Sequence, residues 1–164
     1  HDDVEKGEEH FRKIHLDKVD RAVAAARALQ PNMIRLLSAR AADRKDVLRR
    51  HPWLVRLYQE AVDRIADAGF QATIENEAHG NIWSTPEEIG EFFTALDRRG
   101  KAHFTYDVQN LWQMGTFPTL DAYRKLRSFI GYVHLKGGRT DGGGTELVWK
   151  SALEEADWPV EDLV

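Results

Sequence analysis

Short apolar runs alternate with amphipathic stretches along most of this chain. From Lys18 to Gln30, Val19, Ala22, Val23, Ala26 and Leu29 recur at helical spacing, and Pro31-Asn32 stops the pattern. Met33-Ile34-Arg35-Leu36-Leu37 then reads as a buried strand, with Ser38 and Arg40 at its exit. His51-Pro52 opens a second helix with a stripe of Leu54, Val55, Tyr58, Ala61, Val62 and Ile65, and Gly69 suits its left-handed end. The β-branched run Gln71-Ala72-Thr73-Ile74-Glu75 predicts the next strand. Thr85-Pro86-Glu87-Glu88 carries the signals of a capped helix start, with Ile89, Phe92, Phe93 and Leu96 facing inward and Gly100 ending it. Ala102 to Asp107 is a third strand. After the turn at 115–118, a helix buries Leu120, Tyr123, Leu126 and Ile130 and stops at Gly131. Tyr132 to Lys136 is a fourth strand, and a last helix is expected from about Glu146 to Ala156. Residues 1–17 are charged and lack a clear period, so they read as a loop or frayed segment, with no role for His1, His10 or His15.

Strands separated by helices run parallel, because each crossover is long and right-handed. The order therefore predicts an α/β fold in one domain over 1–164, either an open doubly wound sheet or a partial (β/α)8 TIM barrel. A whole barrel takes ~250 residues, so this chain has room for about four to five of the eight βα units. A partial barrel leaves sheet edges and apolar helix faces uncovered. The expectation is a piece of a longer protein, or association with a second copy.

Composition changes this picture little. The 164 residues are 42% hydrophobic and 30% charged, as in an ordinary globular domain. A net charge of -4 argues against a nucleic-acid binder that works by broad phosphate neutralisation. The absence of cysteine excludes disulfides and thiolate metal sites and permits a cytoplasmic location. No apolar run reaches the ~20 residues of a membrane helix.

Candidate chemistry lies where the strands end. Parallel strands carry their carboxyl ends to one face of a sheet, so Glu75, Asp107 and His134 are expected to converge. Two carboxylates and an imidazole suit one divalent ion, Mn²⁺, Mg²⁺, Co²⁺ or Zn²⁺, without choosing among them. Each residue also has a structural explanation. Glu75 could pair with an arginine on the rim, Asp107 could cap a helical turn, and His134 could be a hydrogen-bonded core histidine. Arg35 either holds an anion or pairs with a neighbouring acid. Glu77 is a supporting acid or an exposed loop residue. Asn110 and Lys136 are candidates to orient substrate, with His79 and Arg139 weaker ones. Trp83 and Trp112 could wall a sugar face or pack in the core. The loop at Gly142-Gly143-Gly144 lacks the spacing of a phosphate-binding motif.

Ile74-Glu75-Asn76 followed by Glu77 and Gly80, then Tyr106-Asp107-Val108-Gln109-Asn110, then Val133-His134-Leu135-Lys136, resembles the sugar phosphate isomerase/epimerase family of xylose isomerase-like TIM barrels. The resemblance covers roughly Lys18 to Gly138, the middle of the family barrel. It implies a divalent-metal isomerase, epimerase or dehydratase for a sugar, sugar phosphate or cyclic polyol, working through a metal-stabilised enediolate. Glu75, Asp107 and His134 would then be metal ligands and Glu75 also the base. The family's fourth ligand, a glutamate on the last strand, and its first two strands have no counterpart here. Asn110 stands where many relatives carry histidine, and Gly137 where an acid often follows. Two other functions compete: a non-catalytic carbohydrate-binding or interaction module on the same fold, and an apurinic-site endonuclease of the same superfamily.

Overall fold

The computed structural model describes residues 3–78, 80–83, 85–140, 147–148 (backbone alone) and 152–163. Its centre is a parallel sheet in the order β1 (Met33–Leu37), β2 (Gln71–Glu75), β3 (Ala102–Asp107) and β4 (Ile130–His134). Sequence order and spatial order coincide, as expected when every connection is a right-handed crossover to the next strand. The first crossover holds α2 (Val47–Arg50) and α3 (Trp53–Asp67), the second α4 (Pro86–Leu96), and the third α5 (Val108–Gln113) and α6 (Leu120–Leu126). α1 (Glu8–Leu29) precedes the sheet. A short antiparallel pair, β5 (Arg139–Thr140) and β6 (Leu147–Val148), follows it.

The helices cover one face of the sheet. Ala72, Ile74, Phe104 and Tyr106 project into that layer and meet Leu54, Leu57, Tyr58, Ile65, Ile89 and Phe92, all fully buried or nearly so. Tyr58 and Phe92 meet edge to face with ring centroids 5.3 Å apart, and the Tyr58 hydroxyl donates to the Leu37 carbonyl at 2.8 Å. Each large side chain fully buried this way contributes about 1.5–3 kcal/mol. The capping box at Thr85 and Glu88 forms as the sequence predicts, in both directions.

Four expectations need correction. Residues 8–17 are not a loop: α1 begins at Glu8, because Phe11 and Leu16 extend the buried stripe of Val19, Val23 and Ala26 by two turns. Leu29, expected in that stripe, is exposed beside the left-handed Gln30 that ends the helix. Gly131 does not stop a helix. α6 ends at Leu126, and Gly131 lies inside β4, which therefore starts two residues before the expected Tyr132 and ends at His134. The helix expected over Glu146 to Ala156 falls partly outside the described residues. Where described, that stretch holds β6 and a single 3-10 turn at Leu153–Glu155. Gly142, Gly143 and Gly144 also lie outside the described residues.

Candidate metal centre at the carboxyl rim

Side-chain alternation decides which residues reach the uncovered face. Glu75 lies two residues beyond Thr73, and Asp107 two beyond Thr105, so all four share it. The hydroxyls of Thr73 and Thr105 hydrogen-bond each other below the carboxylates.

His134 reaches the same face through an irregularity. Phe104 pairs with Ile130, but Thr105 pairs with Tyr132, so β4 carries one extra residue at Gly131. Counted from Ile130 without that shift, Val133 would oppose Asp107 and His134 would turn to the other face. With it, His134 opposes Asp107. Glycine is required there, because a Cβ on Gly131 would stand 2.5 Å from the His103 Cβ.

Glu75, Asp107 and His134 thus offer ligand atoms that all lie within 4.8 Å of one another. The convergence expected from the strand ends is met. His134 Nδ1 lies 2.6 Å from Glu75 Oε1 and 3.4 Å from Asp107 Oδ2. Two cations join them. Arg35 Nη1 is 2.5 Å from Glu75 Oε2, and Lys136 Nζ is 2.5 Å from Asp107 Oδ2. Both carboxylates are almost fully buried.

The structural explanations hold as well. Glu75 pairs with an arginine, Asp107 caps α5 by accepting from the Asn110 amide at 2.9 Å, and His134 is hydrogen-bonded. These roles leave one atom unsatisfied. Asp107 Oδ2 is buried and, among the described residues, accepts no hydrogen bond of acceptable geometry, although Lys136 stands close to it. The Lys136 ammonium meets it as an ion pair at 2.5 Å without the alignment of a hydrogen bond. A buried carboxylate oxygen aimed into a set of oxygen and nitrogen donors fits a divalent ion. Without one, the two carboxylates are balanced by Arg35 and Lys136.

The remaining candidates are placed as follows. Asn110 is buried, with its side-chain amide donating to the Asn76 carbonyl at 2.8 Å, so it braces the rim and does not face open space. Trp112 is half-buried and packs against the core from α5, and Trp83 is buried against Phe92 and Phe93. Arg139 lies in β5, after the end of β4. His79 lies outside the described residues. An open cavity of about 380 Å³ runs along the uncovered face, lined by Arg35, Thr73, Thr105, Tyr132 and His134. Tyr106 is on the helix side, where burial pushes its phenol up and keeps it neutral.

The sequence alone assigns no role to two positions that shape the rim. Gly131 carries a signal, since a glycine inside a strand pattern marks a bulge. Asn76 carries one only in being an amide directly after the strand-end acid.

No protein-family model matches the sequence. No curated protein matches it either. Solved structures do. The chain superposes on the probable 3-DHS dehydratase AsbF of Bacillus anthracis, involved in petrobactin synthesis, with a TM-score of 0.72 and 16% identity, over 90% of this chain and 57% of that one. A xylose isomerase domain protein from Planctomyces limnophilus gives 0.69 and 17%, over 90% and 51%. A protein from Thermus thermophilus, in a structure soaked with ZnCl2, gives 0.64 and 19%, over 85% and 54%. At these identities the likeness is one of fold, and the chain spans about half the length of each. The four parallel strands and their helices therefore have the fold of a partial (β/α)8 TIM barrel, matching about half of each of these structures.

Proposed function

We propose that this rim is a divalent-metal centre at which a sugar, sugar phosphate or cyclic polyol is isomerised, epimerised or dehydrated. The observation that carries the reading is the meeting of Glu75, Asp107 and His134, from three consecutive strands, within 4.8 Å. These three residues would hold the ion, which would act as a Lewis acid on substrate oxygens and acidify the adjacent C–H.

The chain's own residues then have distinct tasks. Glu75 Oε1 is the proton acceptor, and its other oxygen, Oε2, is paired with Arg35 until substrate arrives. Arg35 and Lys136 are half-exposed, so both can turn from their carboxylates to a negative oxygen of the substrate. Tyr132, Thr73 and Thr105 line the space beside them. Fold neighbours that include a probable dehydratase and a D-tagatose 3-epimerase-like protein support this class of chemistry.

One observation favours a second reading. Arg35 and Lys136 already neutralise both acids, as they would in a metal-free sugar-binding module. One experiment separates the two. The wild-type protein should bind about one equivalent of Mn²⁺, Co²⁺, Mg²⁺ or Zn²⁺ in equilibrium dialysis and turn over a member of a panel of ketoses, sugar phosphates and cyclic polyols. Glu75→Gln should lose turnover with an unchanged circular dichroism spectrum. Unchanged turnover removes Glu75 from the mechanism, and sugar binding without metal supports the binding module.

A further inference from the structure

We infer that Asn76 is a positioning residue for this centre: its side-chain amide, braced by Asn110, holds Asp107 in register with Glu75. The inference rests on the metal-centre reading above.

The last β2–β3 pair in the ladder is Glu75 with Thr105. Asp107 lies two residues further on, still paired with His134 of β4 on one side, but on the other side β2 has ended and no β2 strand backbone remains beside it. The Asn76 side chain takes the place of that backbone. Its Oδ1 accepts from the Asp107 amide at 2.8 Å, and its Nδ2 donates to the Asp107 carbonyl at 2.9 Å. A carboxamide has the donor and acceptor of a peptide group, so one side chain adds a rung to the sheet at the rim.

The rung is itself held. Asn110 Nδ2 donates to the Asn76 carbonyl at 2.8 Å, while the Asn110 amide donates to Asp107 Oδ1 at 2.9 Å. Asn76, Asp107 and Asn110 are all buried, so water cannot substitute for any of these bonds without cost. The consequence for the site is directional. With Oδ1 engaged by the Asn110 amide, Oδ2 is the oxygen presented to His134, and the clamp sets its distance from Glu75. Loss of a partner that orients a ligand in this way typically costs about 10–100-fold in metal affinity.

Asn81 provides a matched control. It is equally buried and ties the β1 and β2 rims together: its Nδ2 donates to the Ser38 hydroxyl and, at 2.8 Å, to the Glu77 carbonyl, and its Oδ1 accepts from the Trp83 amide at 3.0 Å. Among the described residues, no hydrogen bond joins it to Glu75, Asp107 or His134.

The test is Mn²⁺ affinity by calorimetry, well below each variant's melting temperature. Asn76→Ala is expected to weaken binding about 10–100-fold, and Asn81→Ala to leave it within about threefold. In an Asp107→Asn background, Asn76→Ala should add no further loss, because it acts through Asp107. Full affinity in Asn76→Ala, a loss matched by Asn81→Ala, or an additive loss in the Asp107→Asn background overturns the inference. Should Asn76→Ala not fold, Asn110→Ala removes a single arm and should cost about three- to tenfold; no loss there overturns it equally. A wild-type protein that binds none of the four ions removes the metal centre and the clamp's assignment with it. Wild-type binding that Asn76→Ala leaves intact removes the clamp alone.

Discussion

The inner and outer strands build the rim in different ways. Glu75 and Asp107 end the two inner strands, and their side chains are 2% and 0% exposed. Arg35, His134 and Lys136 stand on or just after the outer strands and are 51%, 27% and 42% exposed. Asp107 is held by buried hydrogen bonds to the Asn110 amide and the Asn76 side chain, and Glu75 by burial at the end of β2 with Arg35 and His134 on its two oxygens. The basic groups hang from sheet edges with one neighbouring strand each. Buried, bonded groups keep a fixed geometry, whereas half-exposed long side chains change rotamer at little cost. The difference suggests a division of labour: the acids define a point in space, and the bases adjust around it.

Three experiments probe that contrast. The largest effect is expected in the inner strands. Phe104→Ala should cost about 3–5 kcal/mol in urea denaturation, because Phe104 is fully buried between the sheet and α4, whereas Tyr132→Ala on the half-exposed β4 should cost less than ~1 kcal/mol. Similar losses in the two variants would mean that β4 is as well packed as β3.

A smaller effect is expected at the bulge. Gly131→Ala drives a methyl group against His103 and should cost about 1–3 kcal/mol. It should also perturb the His134 imidazole resonances, because the bulge turns that ring toward Asp107. Recovery in the Gly131→Ala/His103→Gly double variant would locate the clash, and an unperturbed His134 would show that the bulge is dispensable.

The smallest effect lies outside the rim. The hydrogen bond from Arg98, with Lys101 assisting, holds the Asp63 carboxyl below its ordinary 3.8 despite partial burial. A depressed carboxylate contributes stability above its unfolded value and loses it as pH falls through the folded one. Asp63→Asn should therefore lower the melting temperature at pH 7, and the gap from wild type should close as the medium is taken below 3.8. A gap that persists in strong acid would assign the effect to packing.

Much of the fold is legible in the sequence because local pattern and burial agree. The β1 and β3 runs are bounded by unambiguous turns, and the α3 stripe and α4 capping box are local signals that tertiary contacts reinforce. α1 reads too short because its first turns are rich in charge, and only packing against α3, with Arg12 on Glu60, reveals that Phe11 faces inward. The start of β4 is hidden because Gly131 reads as a helix stop in one dimension and serves as a bulge in three.

Residue types and their places at three strand ends are local properties, so the chain alone determined that Glu75, Asp107 and His134 belong to one rim. Two acids on an apolar sheet already imply something positive nearby. What supplies it was decided by the tertiary structure, since Arg35 and Lys136 reach the acids across neighbouring strands. So were the extra residue that turns His134 inward and the amide that extends β2 by one rung. Both depend on how two strands meet sideways, and register between strands is a relation that no single stretch of sequence contains.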